Sequence, residues 1–362
     1  VKQRTVLTLL GVVAYQRTVF LDEFGRRRTL TDELLGIPKR SRLSAGAFLW
    51  LVCRASEESY RKTARAFAKL SGCVVSHVTV MNCVHAEGAL LRESIARAEP
   101  KLSQETLYLE VDGLWVHLQE NKHREQALPR FLYEQARKTT SLELKLAAAY
   151  AGKKKVAPGR YERCGLVLTC CDGSPDDFWD AVYAMIDEAY DIEDLEQLWL
   201  GADGGSWCGS DRIETKLPEC ITLSCSLDPF HVMQKICKAF PEGAKRDWAV
   251  NLAVRRKTGQ LVRMCEKTAP KIVDAKRRER VRDLGSYIKN NASAVTFPKP
   301  SMGTMEGTNA HIGAARLKGQ ERSWSRAGAE AMCLIRCALA MGRPLVPPKK
   351  EAVFTEKEQS IA

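Results

Sequence analysis

The sequence predicts an α/β chain whose strand-rich middle is flanked by helical segments. Three observations carry this. After Pro100, three runs rich in apolar, β-branched and aromatic residues follow one another. The next segment places Phe178, Val182, Ile186 and Tyr190 at four-residue spacing, the period of a helix. The helical period returns after ECITLSCSLDPFH and persists to about Tyr287.

In order, residues 1–30 read as a strand pair, RTVLTLLGVVAY and RTVFLDEFG, divided by a short polar break. Residues 31–99 read as helices. LTDELLG has Thr31 as its cap and Gly36 as its stop, and AGAFLWLVCRA is a buried helix. SEESYRKTARAFAKLSG opens on a capping box from Ser56 to Glu58 and stops at Gly72; Ser76 caps the helix after it. Residues 100–226 hold ETLYLEVDGLWVHLQ, LELKLAAAYAGKK and RCGLVLTCC as three strands of antiparallel type. SPDDFWDAVYAMIDEAYD follows as a helix, then LEQLWLGADGGSW as a strand ending in a Gly-rich turn. Residues 227–297 form a basic helical insertion closed by the Pro/Gly-punctuated stretch NNASAVTFPKPSMG. Residues 298–343 complete the ordered part, and the Pro- and Lys-rich tail 344–362 reads as flexible.

The chain has 362 residues with 56 Lys plus Arg against 44 Asp plus Glu. From Lys245 to Lys289 there are 14 basic and 5 acidic residues, and from Val1 to Leu70 there are 14 and 6. Between Ser174 and Glu219 there are 13 acidic and 2 basic residues. Two basic blocks flanking an acidic one suit a polyanion such as nucleic acid, although solvated helix faces read the same way. No apolar run approaches the roughly 20 residues of a membrane span. No signal peptide opens the chain, which starts on Val1 rather than Met and so reads as truncated. The 13 Cys are odd in number and include no CxxC pair, which points to reduced cytosolic thiols rather than a disulfide framework. Cys220, Cys225 and His231 fit no ordinary zinc spacing.

Three carboxylates could carry chemistry. Asp112 lies inside the apolar run YLEVDGLWV, where a charge is costly unless paired or bound to a cation; before Gly113 it also reads as a turn residue. Asp203 closes the apolar run LEQLWLGAD, and strand ends are favoured ligand positions, but it too reads as a turn Asp. Glu306 opens a helix in GTMEGTN, where it could simply complement the helix dipole. Together, two strand-end Asp and one helical Glu make a hard oxygen set for Mg²⁺ or Mn²⁺. Two such ions support phosphodiester displacement.

EVDGLWVHLQE, WLGADGGSW, LDPFHVMQKI, GTMEGTNAHIGAARLKG and SWSRAGAEAM occur in that order. The set resembles bacterial insertion-sequence transposases of the DDE type, in particular the ISLre-type family, which is distantly similar to the Mutator-like transposases. The resemblance spans residues 5–341. It implies a ribonuclease-H-like catalytic domain interrupted by an all-helical insertion and preceded by a mainly helical DNA-binding region. It places the catalytic and metal-holding acids at Asp112, Asp203 and Glu306, and sets Asp228 and His231 of LDPFH beside them. His231 at a helix start is also the position of an ordinary hydrogen-bonded histidine.

SYRKTARAFAKLSGCVVSHVTVMNCVHAEG has helix-turn-helix spacing, and its second helix offers Ser76, His77, Thr79 and Asn82 as groove readers. A plain helical hairpin has the same pattern. GRRRTL and PKRSR could touch phosphates or a minor groove. Arg316, Lys318, Arg322 and Arg326 lie close in sequence to Glu306 and could hold the scissile strand, or form a solvated basic face. The function expected is a Mg²⁺-dependent, cytoplasmic, nucleoid-associated DNA transposase. It would bind terminal inverted repeats and target DNA as a homodimer or higher oligomer, and catalyse strand cleavage and strand transfer. A nuclease without strand transfer and a non-catalytic DNA-binding regulator are the alternatives; a glycosidase leaves the basic blocks unexplained.

Overall fold

A computed structural model of the chain describes residues 2–37, 41–93, 100–119, 141–296, 302–319 and 322–347. It divides into two compact units, one of Val1–Ser94 with Ala327–Ala362 and one of Ile95–Arg326. The expected segment 298–343 is therefore shared between the units, while most of the expected tail 344–362 lies outside the described residues.

In the first unit, β1 (Lys2–Thr8) and β2 (Gly11–Arg17) form a hairpin with Val6 opposite Val13. This differs from the strand pair expected at residues 4–15 and 17–25. The first of those runs folds back on itself, because Thr8 Oγ1 donates to Gly11 O and accepts from Leu10 N, closing a turn at Leu9–Leu10. The second run supplies only β3 (Phe20–Leu21), paired with β4 (Arg27–Arg28). Helix α1 (Leu30–Leu34) starts after Thr29, not Thr31, and carries the buried Asp32. Asp32 accepts hydrogen bonds from Arg4, Arg17 and Tyr15.

Helices α2 (Ala45–Glu57), α3 (Tyr60–Ser71) and α4 (His77–Glu93) follow. Ser56 is buried inside α2, so it caps nothing; Ser59 caps α3 by accepting from Lys62 N. Gly72 ends α3 with φ +69°, a left-handed stop that favours glycine. Leu51, Val52, Phe67, Val80 and Val84 are fully buried and form the centre of this bundle. The closing helix Arg326–Ala340 packs here: a Cβ placed on Gly88 of α4 would stand 2.3 Å from the Ala331 Cβ.

The second unit is built on a mixed sheet of β5 (Thr106–His117), β6 (Ser141–Tyr150), β9 (Val167–Cys171), β10 (Gln197–Ala202) and β11 (Thr222–Leu227). Between β6 and β9, β7 (Gly152–Ala157) and β8 (Arg160–Cys164) form a separate hairpin. The sheet order is β11-β10-β5-β6-β9. β6 runs antiparallel to both β5 and β9, whereas β10 and β11 run parallel to β5. Helix α5 (Pro175–Ala189) opens on a capping box between Ser174 and Asp177. Its Phe178, Trp179, Val182 and Ile186 bury against Leu107, Leu109 and Val111 of β5. Successive strand residues point to opposite faces, so Tyr108, Glu110 and Asp112 face away from α5.

After α6 (Ser210–Glu214) and β11 come α7 (Pro229–Ala239), α8 (Ala244–Val254), α9 (Thr258–Thr268) and α10 (Ala275–Asn290). They share a core of their own, centred on Ile236, Leu261, Val281 and Ile288. The chain then returns to the sheet through α11 (Met305–Thr308), a π-wound stretch Asn309–Ala314 and α12 (Ala315–Leu317). No helix among the described residues is long and apolar enough to cross a membrane.

Candidate functional site

The strand register aligns three aspartates. Gly201 of β10 pairs with Glu110 of β5, so two residues on Asp203 lies beside Asp112. Ala202 pairs with Leu227 of β11, so one residue on Asp203 lies beside Asp228. Neighbouring strands are about 4.8 Å apart, and the row therefore spans roughly 10 Å across the sheet. It sits at the carboxyl ends of β10 and β11, where parallel strands place ligand sites.

Each carboxylate is held by nearby donors. The Asp112 Oδ1 accepts from the Gly113 N–H at 2.7 Å and its Oδ2 accepts from the Asn309 Nδ2 at 2.5 Å. The Asp203 Oδ1 accepts from the Gly205 N–H at 2.8 Å and from the Cys208 thiol at 3.2 Å. Asp228 begins α7 and accepts from the Phe230 N–H at 2.8 Å. Three residues on, His231 points its Nε2 at the Asp112 Oδ2 from 4.0 Å. Both the His231 Nε2 and the Asn309 Oδ1 are buried without a hydrogen-bond partner. Glu306 is exposed on α11, close enough for its charge to act on Asp228.

Burial of this row makes its charge costly. Asp112 is pushed up to about 6, first by burial and then by Asp203 and Asp228, while the Gly113 N–H and His231 oppose the rise. Asp228 is raised for the same leading reason, with Glu110 and Glu306 adding to it. Excess negative charge, oxygen donors and two orphaned polar atoms fit hard divalent cations. Among the described residues no three of these oxygens lie within 4.8 Å of one another.

A second carboxylate on the same face of β5 fastens the returning chain. Glu110 is buried, and its Oε2 accepts from the Gly303 and Thr304 N–H groups at 2.8 and 2.7 Å. Its Oε1 accepts from the Thr304 and Tyr150 hydroxyls at 2.7 and 2.5 Å. Gly303 has φ +98°, and a Cβ there would stand 3.2 Å from the Asp228 Oδ1, so conformation and close approach both require glycine. This latch holds the turn that precedes Glu306 and Asn309, and the Asn309 amide reaches Asp112.

Glu110, Asn309 and Cys208 were not among the residues expected from sequence. Glu110 had a signal, since it stands two residues before Asp112 on one strand face, and Asn309 lies three residues after Glu306 on one helix. Cys220, Cys225 and His231 do not come together among the described residues.

The residues read as DNA contacts divide into three groups. Ser76, His77 and Asn82 are exposed at the start of α4, and Thr79 is half-buried. Ser76 caps α4 by accepting from Thr79 N at 3.0 Å. Ser76, Thr79 and Asn82 line a pocket of about 490 Å³ beside Arg42. Lys318 is exposed, whereas Arg316 is 3% exposed with its guanidinium 4.7 Å above the Trp324 ring. Arg322 donates to the Ala315 and Arg316 carbonyls, and Arg326 to the Asp172 carboxylate at 2.7 Å. Residues 38–40 of the PKRSR run lie outside the described residues.

The chain resembles a UPF0236 protein of Caldanaerobacter subterraneus subsp. tengcongensis, 26% identical over 352 residues, covering 92% of this chain and 67% of that protein. A UPF0236 protein in the vanSb 3′ region of Streptococcus gallolyticus is 23% identical, covering 94% of this chain and 74% of that protein. Among solved structures, the Drosophila P element transposase strand transfer complex aligns at 10% identity over 86% of this chain and 82% of that one. Its TM-score of 0.29 is too low to carry an argument about fold or function. The match to the model of the uncharacterised protein family UPF0236 covers residues 1–349, and the chain belongs to that family.

Proposed function

We propose that this chain is a DNA transposase of the DDE type, working with two Mg²⁺ or Mn²⁺ ions. The observation that carries the reading is the row of Asp112 on β5 with Asp203 and Asp228 at the ends of the two adjacent strands, with the charge of Glu306 acting on Asp228. The sheet order, three antiparallel strands followed by two parallel to the first, supports a ribonuclease-H-like catalytic domain. The helical block between β11 and α11 supports an insertion in that domain. The names of two relatives support mobility: one joins eleven locus designations of a single genome and another joins four. Repetition of one sequence across a genome is what a self-moving element leaves behind.

Asp112, Asp203 and Glu306 would hold the ions, which would neutralise phosphate charge and activate the attacking oxygen. Asn309 and the Gly113 N–H hold the Asp112 carboxylate, and Gly205 and Cys208 hold that of Asp203. Water attacks phosphorus and the P–O3′ bond breaks, with the proton passing to the released 3′-OH. That hydroxyl then attacks a target phosphodiester and displaces its 3′ oxygen. Such positioning and charge compensation supply most of the rate in phosphoryl transfer. Helices α3 and α4 serve the inverted repeats through Ser76, His77, Thr79 and Asn82. Bringing two element ends together calls for a homodimer or higher oligomer.

The test incubates the full chain with DNA carrying the element's terminal repeats, with and without Mg²⁺. Metal-dependent cutting and joined products are expected, and Asp112→Asn abolishes both while end binding persists. Strand transfer by Asp112→Asn overturns the mechanism. Cutting without joining identifies a nuclease, and binding without cutting identifies a regulator.

A further inference from the structure

A pocket of about 340 Å³ opens beside the aspartate row, walled by α7 and α10. Asp203 and His231 lie on its lining, together with Lys235, Lys238, Arg280 and Tyr287 and one further carboxylate, Asp283. The helical period places them there. Lys235 and Lys238 follow His231 by four and seven residues on α7, and Tyr287 follows Arg280 by seven on α10. Each helix therefore turns a single face to the groove.

The groove is tied to the site it adjoins. The Tyr287 hydroxyl donates to the backbone carbonyl of Asp203 at 2.8 Å. Lys235 holds its Nζ 4.5 Å from the centre of the Tyr287 ring, a cation–π contact that fixes the ammonium at the groove wall. Lys238 donates to the Gln234 Oε1 at 2.7 Å. Among the described residues, none of Lys235, Lys238 and Arg280 is ion-paired with a carboxylate. Three cations, none of them ion-paired among the described residues, thus converge with the single carboxylate of Asp283 on a concave surface that ends at Asp203.

We infer that this groove binds the phosphodiester backbone of DNA and guides one strand into the aspartate row. The inference deepens the transposase reading and rests on it for the fate of the strand. The aspartate row by itself repels a polyanion, and the three cations supply the opposing attraction one or two helical turns away. No base edge is read by such a set: two ammonium groups and a guanidinium favour phosphate over sequence. The contribution is therefore to affinity and strand path, while sequence preference resides elsewhere.

The experiment measures binding of a 30-mer duplex, and of the same 30-mer single-stranded, to the full chain by fluorescence anisotropy. EDTA is present throughout, so cleavage plays no part. The combined variant Lys235→Ala, Lys238→Ala, Arg280→Ala is compared with Lys245→Ala, Lys267→Ala, Lys271→Ala, whose side chains do not line the groove. The groove variant is expected to lose at least tenfold in affinity. Its dependence of log K on log salt should flatten by about 2.7 on the duplex and about 2.1 on the single strand, the values for three phosphate contacts. Inorganic phosphate at millimolar concentration should not reproduce the competition given by DNA. An equal loss in both combined variants, an unchanged salt slope, or full competition by inorganic phosphate overturns the inference. The single exposed reversal Arg280→Glu repeats the test should the combined variant misfold, and it must weaken binding. Absence of cutting by the wild-type chain would remove the transposase reading and leave the groove standing; unchanged binding would do the reverse.

Discussion

The Asn309 amide donates to the Asp112 carboxylate at 2.5 Å across 197 residues of sequence, joining the first strand of the sheet to the helix that carries Glu306. The bond makes Asn309 an orienting group for the acid at the β5 end of the row. Partners of this kind usually matter by 10–100-fold in metal affinity or activity. Asn309→Ala should therefore raise the Mg²⁺ concentration needed for half-maximal cleavage by that factor while leaving the thermal transition close to wild type. Asn309→Asp should do worse, because a second carboxylate at that distance raises Asp112 further. A metal titration of cleavage by both variants checks the order, and equal metal dependence in all three proteins removes the role.

Glu110 offers a stability test of the latch. Four donors converge on its two oxygens. Glu110→Gln replaces one acceptor with an NH₂ that faces donors, so buried groups lose their partner at a cost of about 1–3 kcal/mol. Tyr150→Phe removes one neighbour only and should cost about 0.5–1.5 kcal/mol. Urea unfolding of the full chain reads both, through midpoints at unchanged slope. A Glu110→Gln midpoint equal to that of wild type would show that the 303–304 turn does not depend on this carboxylate.

Asp32 makes a pH prediction in the first unit. Burial works to raise it, but hydrogen bonds from Tyr15 and Arg17 and the charges of Arg4 and Arg17 outweigh burial and hold it below the ordinary carboxylate value. A depressed carboxyl stabilises the fold above its unfolded value, near 3.9, and that contribution is lost as pH falls through the folded value. Asp32→Asn leaves two guanidinium groups without their acid, and should cost about 3–5 kcal/mol at pH 7. The gap between wild type and variant should narrow steadily below about pH 4. Urea midpoints from pH 7 to pH 3 measure it, and a gap independent of pH would mean that Asp32 is not paired.

Much of this site was legible one residue at a time and illegible as an arrangement. Apolar context marked Asp112 and Asp203, yet only the pairing of Gly201 with Glu110 makes them neighbours, and strand register leaves little trace in a single sequence. β11, with the sequence TLSCSL, alternates Leu223, Cys225 and Leu227 with polar residues but is short and holds no aromatic or β-branched apolar residue, so it was not read as a strand, and Asp228 entered only through the resemblance. The hairpin at Leu9–Leu10 was hidden because the turn residues are themselves apolar. Arg316 looked like a surface cation because charge was read without burial; stacked on Trp324, it belongs to the interior. Helix α5 was fully legible, since its capping box and its apolar spacing agree with its tertiary role.

Gly88 sets two opposing effects against each other. In an exposed helix, alanine for glycine gains roughly 0.5–1 kcal/mol through reduced backbone entropy. In α4 the added Cβ would meet the Ala331 Cβ at 2.3 Å and its Cα at 2.6 Å. The second neighbour is backbone, so no side-chain rotation relieves it. Overpacking of this kind costs about 1–3 kcal/mol, and the helices must part to admit the methyl group. Gly88→Ala should therefore destabilise the chain on balance, by about 1–2 kcal/mol after the helix gain is deducted. Ala331→Gly in the same chain removes the nearer clash and leaves the one with the residue 331 backbone. The double variant should therefore recover part of the loss and show a coupling of at least about 0.5 kcal/mol. Thermal unfolding of the two single variants and the double variant gives the cycle. A net gain in stability from Gly88→Ala alone would mean that helix propensity acts unopposed, and that α4 and the closing helix do not pack through this glycine.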